Sequence, residues 1–240
     1  MQRFALETAL SETTFVQRPT AGGADYRNRI WTMSGEIPFA GHPSCGTAVA
    51  EALRRGEREA RYVQQTPAGL QPIEVELHGE RAARVSMLTE PPQFGEQLEL
   101  PPKLLPDPDP QLPAQLVATG VTQITAPVRS LDHPPPPLAA LERLLDEHGA
   151  LTLYWAAVDG ERARARSFGV DPGALNEDAA TGSSAAPLMA YLHERTGIDR
   201  LTVEQGAEMG RPSRLVCSIE DGRVRLGGDA VVVMTATLDI

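Results

Sequence analysis

The hydrophobic and polar positions alternate with two periods along this chain. Phe4, Leu6 and Leu10 have the spacing of a short helix, and residues 11–18 then turn to the β-favouring "TTFVQR", which predicts a helix running into a strand. "GGADYRNRIWTM" reads as a turn and a strand bearing Tyr26, Ile30 and Trp31, whereas residues 43–55 carry the Ala, Val and Leu of a helix. Strands are expected at 61–65, 73–77 and 83–88, so the first half mixes α and β. The pattern breaks at "EPPQFGEQLELPPKLLPDPDPQLP", where repeated proline removes backbone donors and stiffens the chain. A domain boundary is placed there, near Leu105, giving domains 1–105 and 106–240. Beyond it the pattern predicts a helix at 112–118, strands at 123–129 and 151–157, and a helix at 137–148 behind the stiff lead-in "DHPPPP". A strand at 162–169 then leads into "LNEDAATGSSAAPLMAYL", followed by strands at 201–205, 214–219, 223–226 and 231–238.

Two stretches share a layout. "GEIPFAGHPSCGTAVAEAL" and "PGALNEDAATGSSAAPLMAYL" each take a strand through a glycine-rich turn into an alanine-rich helix, which hints at a duplication of about half the chain. That period is far longer than the ~20–50 residues of solenoid repeats. A helix start made of small residues leaves its first N–H groups uncovered, and with the helix dipole these attract an anion such as a carboxylate. The first start offers His42, Ser44, Gly46 and Thr47, and the second Asp178, Thr181, Gly182, Ser183 and Ser184. Ordinary capping explains either start taken alone. The pairing of the two, with a third acid in "LSETTF", favours a shared role in holding an anionic small molecule.

Composition narrows the partners. The net charge of −10 argues against nucleic acid or an anionic membrane, because phosphate binding needs clustered Lys and Arg. Neither a GxxxxGK[ST] nor a GxGxxG stretch occurs, so nucleotide binding is not expected. The 240 residues are 41% hydrophobic and no run approaches the ~18 apolar residues of a membrane span. Cys45 and Cys217 have no metal-ligand spacing, so neither zinc nor a disulfide framework is expected and a reducing, cytoplasmic compartment fits. Cys45, at a helix start, has the placement of an activated thiol but also that of a small packing residue, and Cys217 reads as core. His78, His133, His148 and His193 read as surface residues.

Five stretches in order, "MQRFALETALSETTFV", "EIPFAGHPSCGTAVA", "GVTQITAPVRS", "EDAATGSSAAPLMAYL" and "GAEMGRPS", make the chain resemble the PhzF family, phenazine-biosynthesis-like isomerases related in fold to diaminopimelate epimerase. The resemblance implies an α+β fold of two pseudo-symmetric domains, each a curled mixed sheet around a central helix, with the active site in the cleft between them. It implies that Glu12 is the acid/base, that His42, Asp178 and Ser183 position the substrate, and that Gly41, Gly46, Thr47, Gly182 and Ser184 supply or shape the backbone donors. Burial is expected to raise the Glu12 pKa, with neighbours tuning it. A small carboxylate-bearing substrate, no cofactor and a homodimer are further implications.

Two departures from the family pattern bear on activity. The chain starts inside the first helix, without the strand and "GNP"-type turn that precede it in relatives, which predicts an unpaired sheet edge. A start codon assigned too late, stabilisation by a dimer partner, and loss of activity are the competing explanations. Cys45 stands where an aliphatic or polar residue is expected. Two-cysteine racemases of the wider fold use one thiol from each half, and the second half here offers Asp178 and Ser183 instead. The alternatives to a PhzF-type isomerase are therefore a cysteine-assisted racemase or epimerase using Cys45, or a non-catalytic small-molecule binding protein.

Overall fold

The computed structural model describes residues 1–171 and 173–237. The chain divides into two compact units: Met1–Leu88 joined by Gly227–Ile240, and Thr89–Leu226.

In the first unit the elements are α1 (Gln2–Thr8), β1 (Thr13–Gln17), β2 (Tyr26–Trp31), β3 (Glu36–Ile37), α2 (Gly41–Arg55), β4 (Glu59–Thr66), β5 (Gly69–His78) and β6 (Ala82–Leu88). The sheet runs β1-β2-β4-β5-β6, with β3 on β2. It is mixed, because β2 and β4 are parallel while β1–β2 and β4–β5 are antiparallel. The β2 strand buries every second residue, Tyr26, Asn28 and Ile30, and so turns one face to the core. The central helix α2 lies on that face. Its Ala48, Val49 and Ala52 pack against Tyr26, Tyr62, Ile73, Val75 and Met87. Small alanines let the helix sit close to the sheet, and a leucine at the fully buried Ala48 would overpack it by about 1–3 kcal/mol. Gly56 ends the helix at φ 73°, its N–H bonding back to the Ala52 and Leu53 carbonyls, with Arg54 and Arg55 at the negative end of the dipole.

The second unit holds β7 (Gln93–Gln97), β8 (Gln115–Ala118), β9 (Thr122–Pro127), α3 (Leu138–His148), β10 (Leu153–Asp159), β11 (Arg162–Asp171), β12 (Ala174–Asp178), α4 (Gly182–Thr196), β13 (Arg200–Gln205), a 3-10 turn (Ala207–Met209), β14 (Ser213–Glu220) and the start of β15 (Arg223–Val231). Its order β10-β11-β13-β14-β15, with β12 on β11, repeats the order of the first unit. The antiparallel, parallel, antiparallel sequence of pairings repeats as well. Helix α4 takes the place of α2 and is nearly all buried, from Ala185 to Leu192, against Tyr154, Ala165, Val203 and Cys217. The opposite sheet face carries α3, whose Leu141, Leu144 and Leu145 meet Ile124, Leu153, Trp155 and Phe168. Each unit is thus a mixed sheet wrapped on a central helix, as the family resemblance implies, and the repeated order agrees with the duplication read from the layout.

Several expectations need correction. Residues 112–118 do not form a helix: Pro113 lacks a donor, and Gln115–Ala118 is strand β8, paired antiparallel with both β7 and β9. Sheet pairing overrides the helical propensity of so short a segment. The proline-rich stretch is no linker either. It contains β7, and its Leu104 and Leu105 are buried in the core with α3, the Trp155 indole donating to the Leu104 carbonyl at 2.9 Å. The point near Leu105 therefore lies inside the second unit, while the contacts divide at Leu88. Finally, Arg223–Val231 is one strand rather than a break before a second. Gly227 sits in its middle because a Cβ there would lie 2.6 Å from the Val85 carbonyl oxygen. The strand expected at 231–238 is absent over 232–237, and its last residue, Leu238, lies outside the described residues.

Candidate active site

Glu12 lies in the short connection between α1 and β1, and His42 lies in the first turn of α2. The fold brings the two together, with His42 Nε2 3.0 Å from Glu12 Oε2. That oxygen is shielded from solvent, and the contact is close without the alignment of a well-formed hydrogen bond. His42 is half exposed (49%) while Glu12 is largely covered (18%), so the pair has a wet side and a dry side. Burial acts to raise the Glu12 pKa, but the close contact and charge of His42, with a hydrogen bond from Ser11, outweigh it and hold the carboxyl below its ordinary 4.5. The expected upward shift is therefore reversed by the histidine.

The start of α2 is built to stay open. Ala40, its N-cap, is extended and gives no side-chain cap, and no acid stands in the first turn. Nothing lies within 4 Å of where a Cβ would be on Gly41 or Gly46. Ser44 bonds back to the Ala40 carbonyl at 2.7 Å, and Thr47 lies 2.8 Å from both the Pro43 carbonyl and the Thr14 hydroxyl. Open N–H groups beside a dipole uncompensated by an acid make a place for an anion.

In the second unit Asp178 ends β12, three residues before Thr181, the N-cap of α4. Its carboxylate accepts from the Thr181 hydroxyl at 2.6 Å and from the Ala180 N–H at 3.4 Å. These contacts stay within the turn before α4, and a carboxylate's four lone-pair sites leave room for further donors. The start of α4 again lacks both a side-chain cap and an acid in its first turn. Pro187, six positions in, has no N–H to give the Ser183 carbonyl four residues back. Ser183 is part-buried, Ser184 is fully buried, and a Cβ on Gly182 would press on Leu226 Cδ2 at 2.7 Å, so the leucine side chain would have to turn aside.

Residues that pattern reading passed over tie these starts down. In the first unit Gln64 donates to Ser44 Oγ at 2.8 Å and Asn28 donates to Gln64 Oε1 at 3.1 Å. In the second, Gln205 donates to Thr181 Oγ1 at 2.9 Å and to the Asp178 carbonyl at 2.7 Å, while Thr152 meets Ser184 at 2.9 Å. The only available signal was the internal repeat, which places a strand glutamine at the same point of each half. Arg166 and Glu177, also unremarked, form a two-pronged ion pair at 2.8 and 2.9 Å beside Asp178.

Cys45 packs against the core around Tyr26, and burial pushes its thiol up to about 12. Burial does the same to Cys217. A thiolate is the nucleophilic form, so this weighs against the cysteine-assisted alternative. His78, His148 and His193 each face an acid, Glu76, Glu96 and Asp199, away from these starts. Among the described residues there is no group of three or more His, Cys, Asp or Glu arranged for a metal ion, and no helix long and apolar enough to cross a membrane.

A duplicated sheet-and-helix unit of this kind is found in a probable proline racemase from Agrobacterium radiobacter, where the likeness is of fold alone (14% identity, TM-score 0.66, covering 95% of this chain and 76% of that one). It is also found in a predicted epimerase from Pseudomonas aeruginosa (27% identity, TM-score 0.78, covering 98% and 88%). The fold is thus that of the epimerase-like enzymes. The sequence pattern of the phenazine biosynthesis-like proteins, PhzC-PhzF, matches residues 1–236. A trans-2,3-dihydro-3-hydroxyanthranilate isomerase from Pseudomonas chlororaphis is 33% identical over 262 aligned residues, covering 99% of this chain and 87% of that protein. The chain belongs to the PhzF family, and it is an isomerase.

Proposed function

We propose that this isomerase shifts a proton within a small carboxylate-bearing substrate without a cofactor, and that Glu12 carries the proton. The observation that carries the reading is the solvent-shielded Glu12 oxygen 3.0 Å from His42 at an open helix start. Glu12, ionised at neutral pH, takes a proton from one carbon; the electron pair left behind spreads into the substrate's conjugated system; and the proton returns to another carbon. Atoms and charge balance with no second reactant. A carboxyl with a lowered pKa gives its proton back readily, which suits the second half of the step. His42 orients a polar group of the substrate and the α2 N–H groups receive its carboxylate; in the second unit Asp178 and Ser183 are the groups suited to an amino or hydroxyl group, the role the resemblance implies for them. Gly41, Gly46, Thr47, Gly182 and Ser184 shape those donors. The homodimer implied by the resemblance goes with this reading and is checked by analytical ultracentrifugation.

The test uses trans-2,3-dihydro-3-hydroxyanthranilate, the compound in the relative's name, as probe. The Glu12→Gln variant is expected to lose solvent-deuterium incorporation into the probe while calorimetry shows that binding survives. Unchanged incorporation would remove Glu12 from the role.

A further inference from the structure

We propose that Asn28 and Gln64 are positioning residues that hold Glu12 and His42 in register through a buried chain of side-chain hydrogen bonds. The inference rests on the reading of Glu12 as the proton carrier. Both residues have 0% exposure, and both project from the β2 and β4 face that α2 covers. From their centre the chain runs in two directions. Gln64 reaches Ser44 Oγ at 2.8 Å, two residues from His42. Asn28 lies 3.4 Å from Thr47 Oγ1, which is 2.8 Å from the hydroxyl of Thr14, two residues beyond Glu12. Thr14 is the second residue of β1, so anchoring its side chain anchors the end of the short connection that carries Glu12. One network therefore grips both partners of the 3.0 Å contact, although they belong to different elements.

The chemistry argues that position, rather than stability, is what this network supplies. Asn28 Oδ1 is buried with no hydrogen-bond partner. An apolar residue of the same shape would avoid that desolvation cost, whereas a partly satisfied polar cluster is worse for stability than an apolar core. Strand residues facing a helix are usually apolar, as the Tyr26 and Ile30 neighbours of Asn28 are. The second unit repeats the device: Gln205 grips Thr181, Thr152 grips Ser184, and Ser167 is buried with its hydroxyl unpartnered. In the β11–β12 pairing Ser167 stands directly opposite Asp178. Core polar groups thus recur beneath both helix starts that the proposed function uses.

The experiment replaces Asn28 with Leu and Gln64 with Met, near-isosteric apolar residues, and follows the Glu12 carboxyl by carbon-13 NMR through a pH titration. Val85→Ala, a core change in the same unit away from the network, is the control for general loosening. The folded variants are expected to show the Glu12 midpoint moved upward, in the direction given by His42→Ala, while Val85→Ala leaves it in place. With the probe above, deuterium incorporation is expected to fall roughly ten- to hundredfold and affinity to change less than about twofold, as a misplaced group predicts. Should Asn28→Leu fail to fold, the milder Gln64→Met carries the test. A Glu12 midpoint unmoved in the folded variants, or moved equally in Val85→Ala, overturns the inference. Full deuterium incorporation by Glu12→Gln would instead overturn the proton-carrier reading, and leaves the titration result readable by itself.

Discussion

Gly206 offers a quantitative check on how the second helix start is held. It follows Gln205 in the "GAEMGRPS" stretch and has φ +82°. An alanine there costs about 1–2 kcal/mol for the left-handed backbone, offset by ~0.4–1 kcal/mol from a stiffer unfolded chain. The larger effect is steric. The new Cβ would stand 2.4 Å from the Arg211 carbonyl oxygen, 2.8 Å from that of Ala179 and 3.0 Å from the Ala179 Cα. These are backbone atoms and cannot swing aside, so overpacking adds about 1–3 kcal/mol. Gly206→Ala is expected to lose about 1–4 kcal/mol overall, read as a fall in the urea midpoint on the order of 1 M by circular dichroism. Gly210, four residues on, has φ +68° with nothing within 4 Å of its Cβ position, so Gly210→Ala carries the backbone cost alone, about 1 kcal/mol or less. The difference between the two variants measures the contact with Ala179 and Arg211. Equal losses in the two would refute the claim that the 206–211 loop is pressed against the residue next to Asp178.

Three further outcomes follow from the geometry. In His42→Ala, burial acts on Glu12 with only Ser11 opposing it, so the carboxyl pKa rises and the acid limb of the pH–rate profile moves to higher pH. Because the folded-state pKa is below the unfolded 4.5, the Glu12 contribution to stability is present above 4.5 and is lost as pH falls through the folded value; the stability gap between wild type and His42→Ala should close in that window, measured by urea titration at a series of pH values. Arg166→Ala strands the Glu177 carboxylate, whose side chain is 15% exposed, and should cost about 3–5 kcal/mol, with Arg166→Met/Glu177→Leu recovering most of it in a double-mutant cycle. Iodoacetamide at pH 8 should label Cys45 far more slowly in the native than in the urea-unfolded protein, since burial holds its thiol at about 12; fast native labelling would revive the cysteine-assisted racemase.

Much of the fold was legible because its elements declare themselves locally. The alternation of β2 and the alanine-rich stripe of α2 fix which faces are apolar, and the glycines ending the helices mark where they stop. The duplicated layout was readable for the same reason, and the ordered motifs placed Glu12, His42 and Asp178 in a family. Where local and non-local forces disagreed, pattern reading failed. Residues 115–118 became a strand because partners on both sides pair with them, and the proline-rich stretch joined the second unit because Leu104 and Leu105 are needed to cover Trp155 and α3.

The sequence by itself determined most of the secondary structure of the repeated core, β15 excepted, together with the family and the residue types at both helix starts, since all of these depend on spacing along the chain. Only the tertiary structure decided that His42 stands 3.0 Å from Glu12 and reverses the effect of burial on its pKa, that burial raises the Cys45 thiol, and that Asn28 and Gln64 are interior. Asn28 and Gln64 are 36 residues apart and Thr14 and Thr47 are 33 apart, so nothing in either neighbourhood announces the partner. Electrostatic and hydrogen-bond energies depend on distance in space, which chain spacing does not encode until the sheet and its helix have closed on one another.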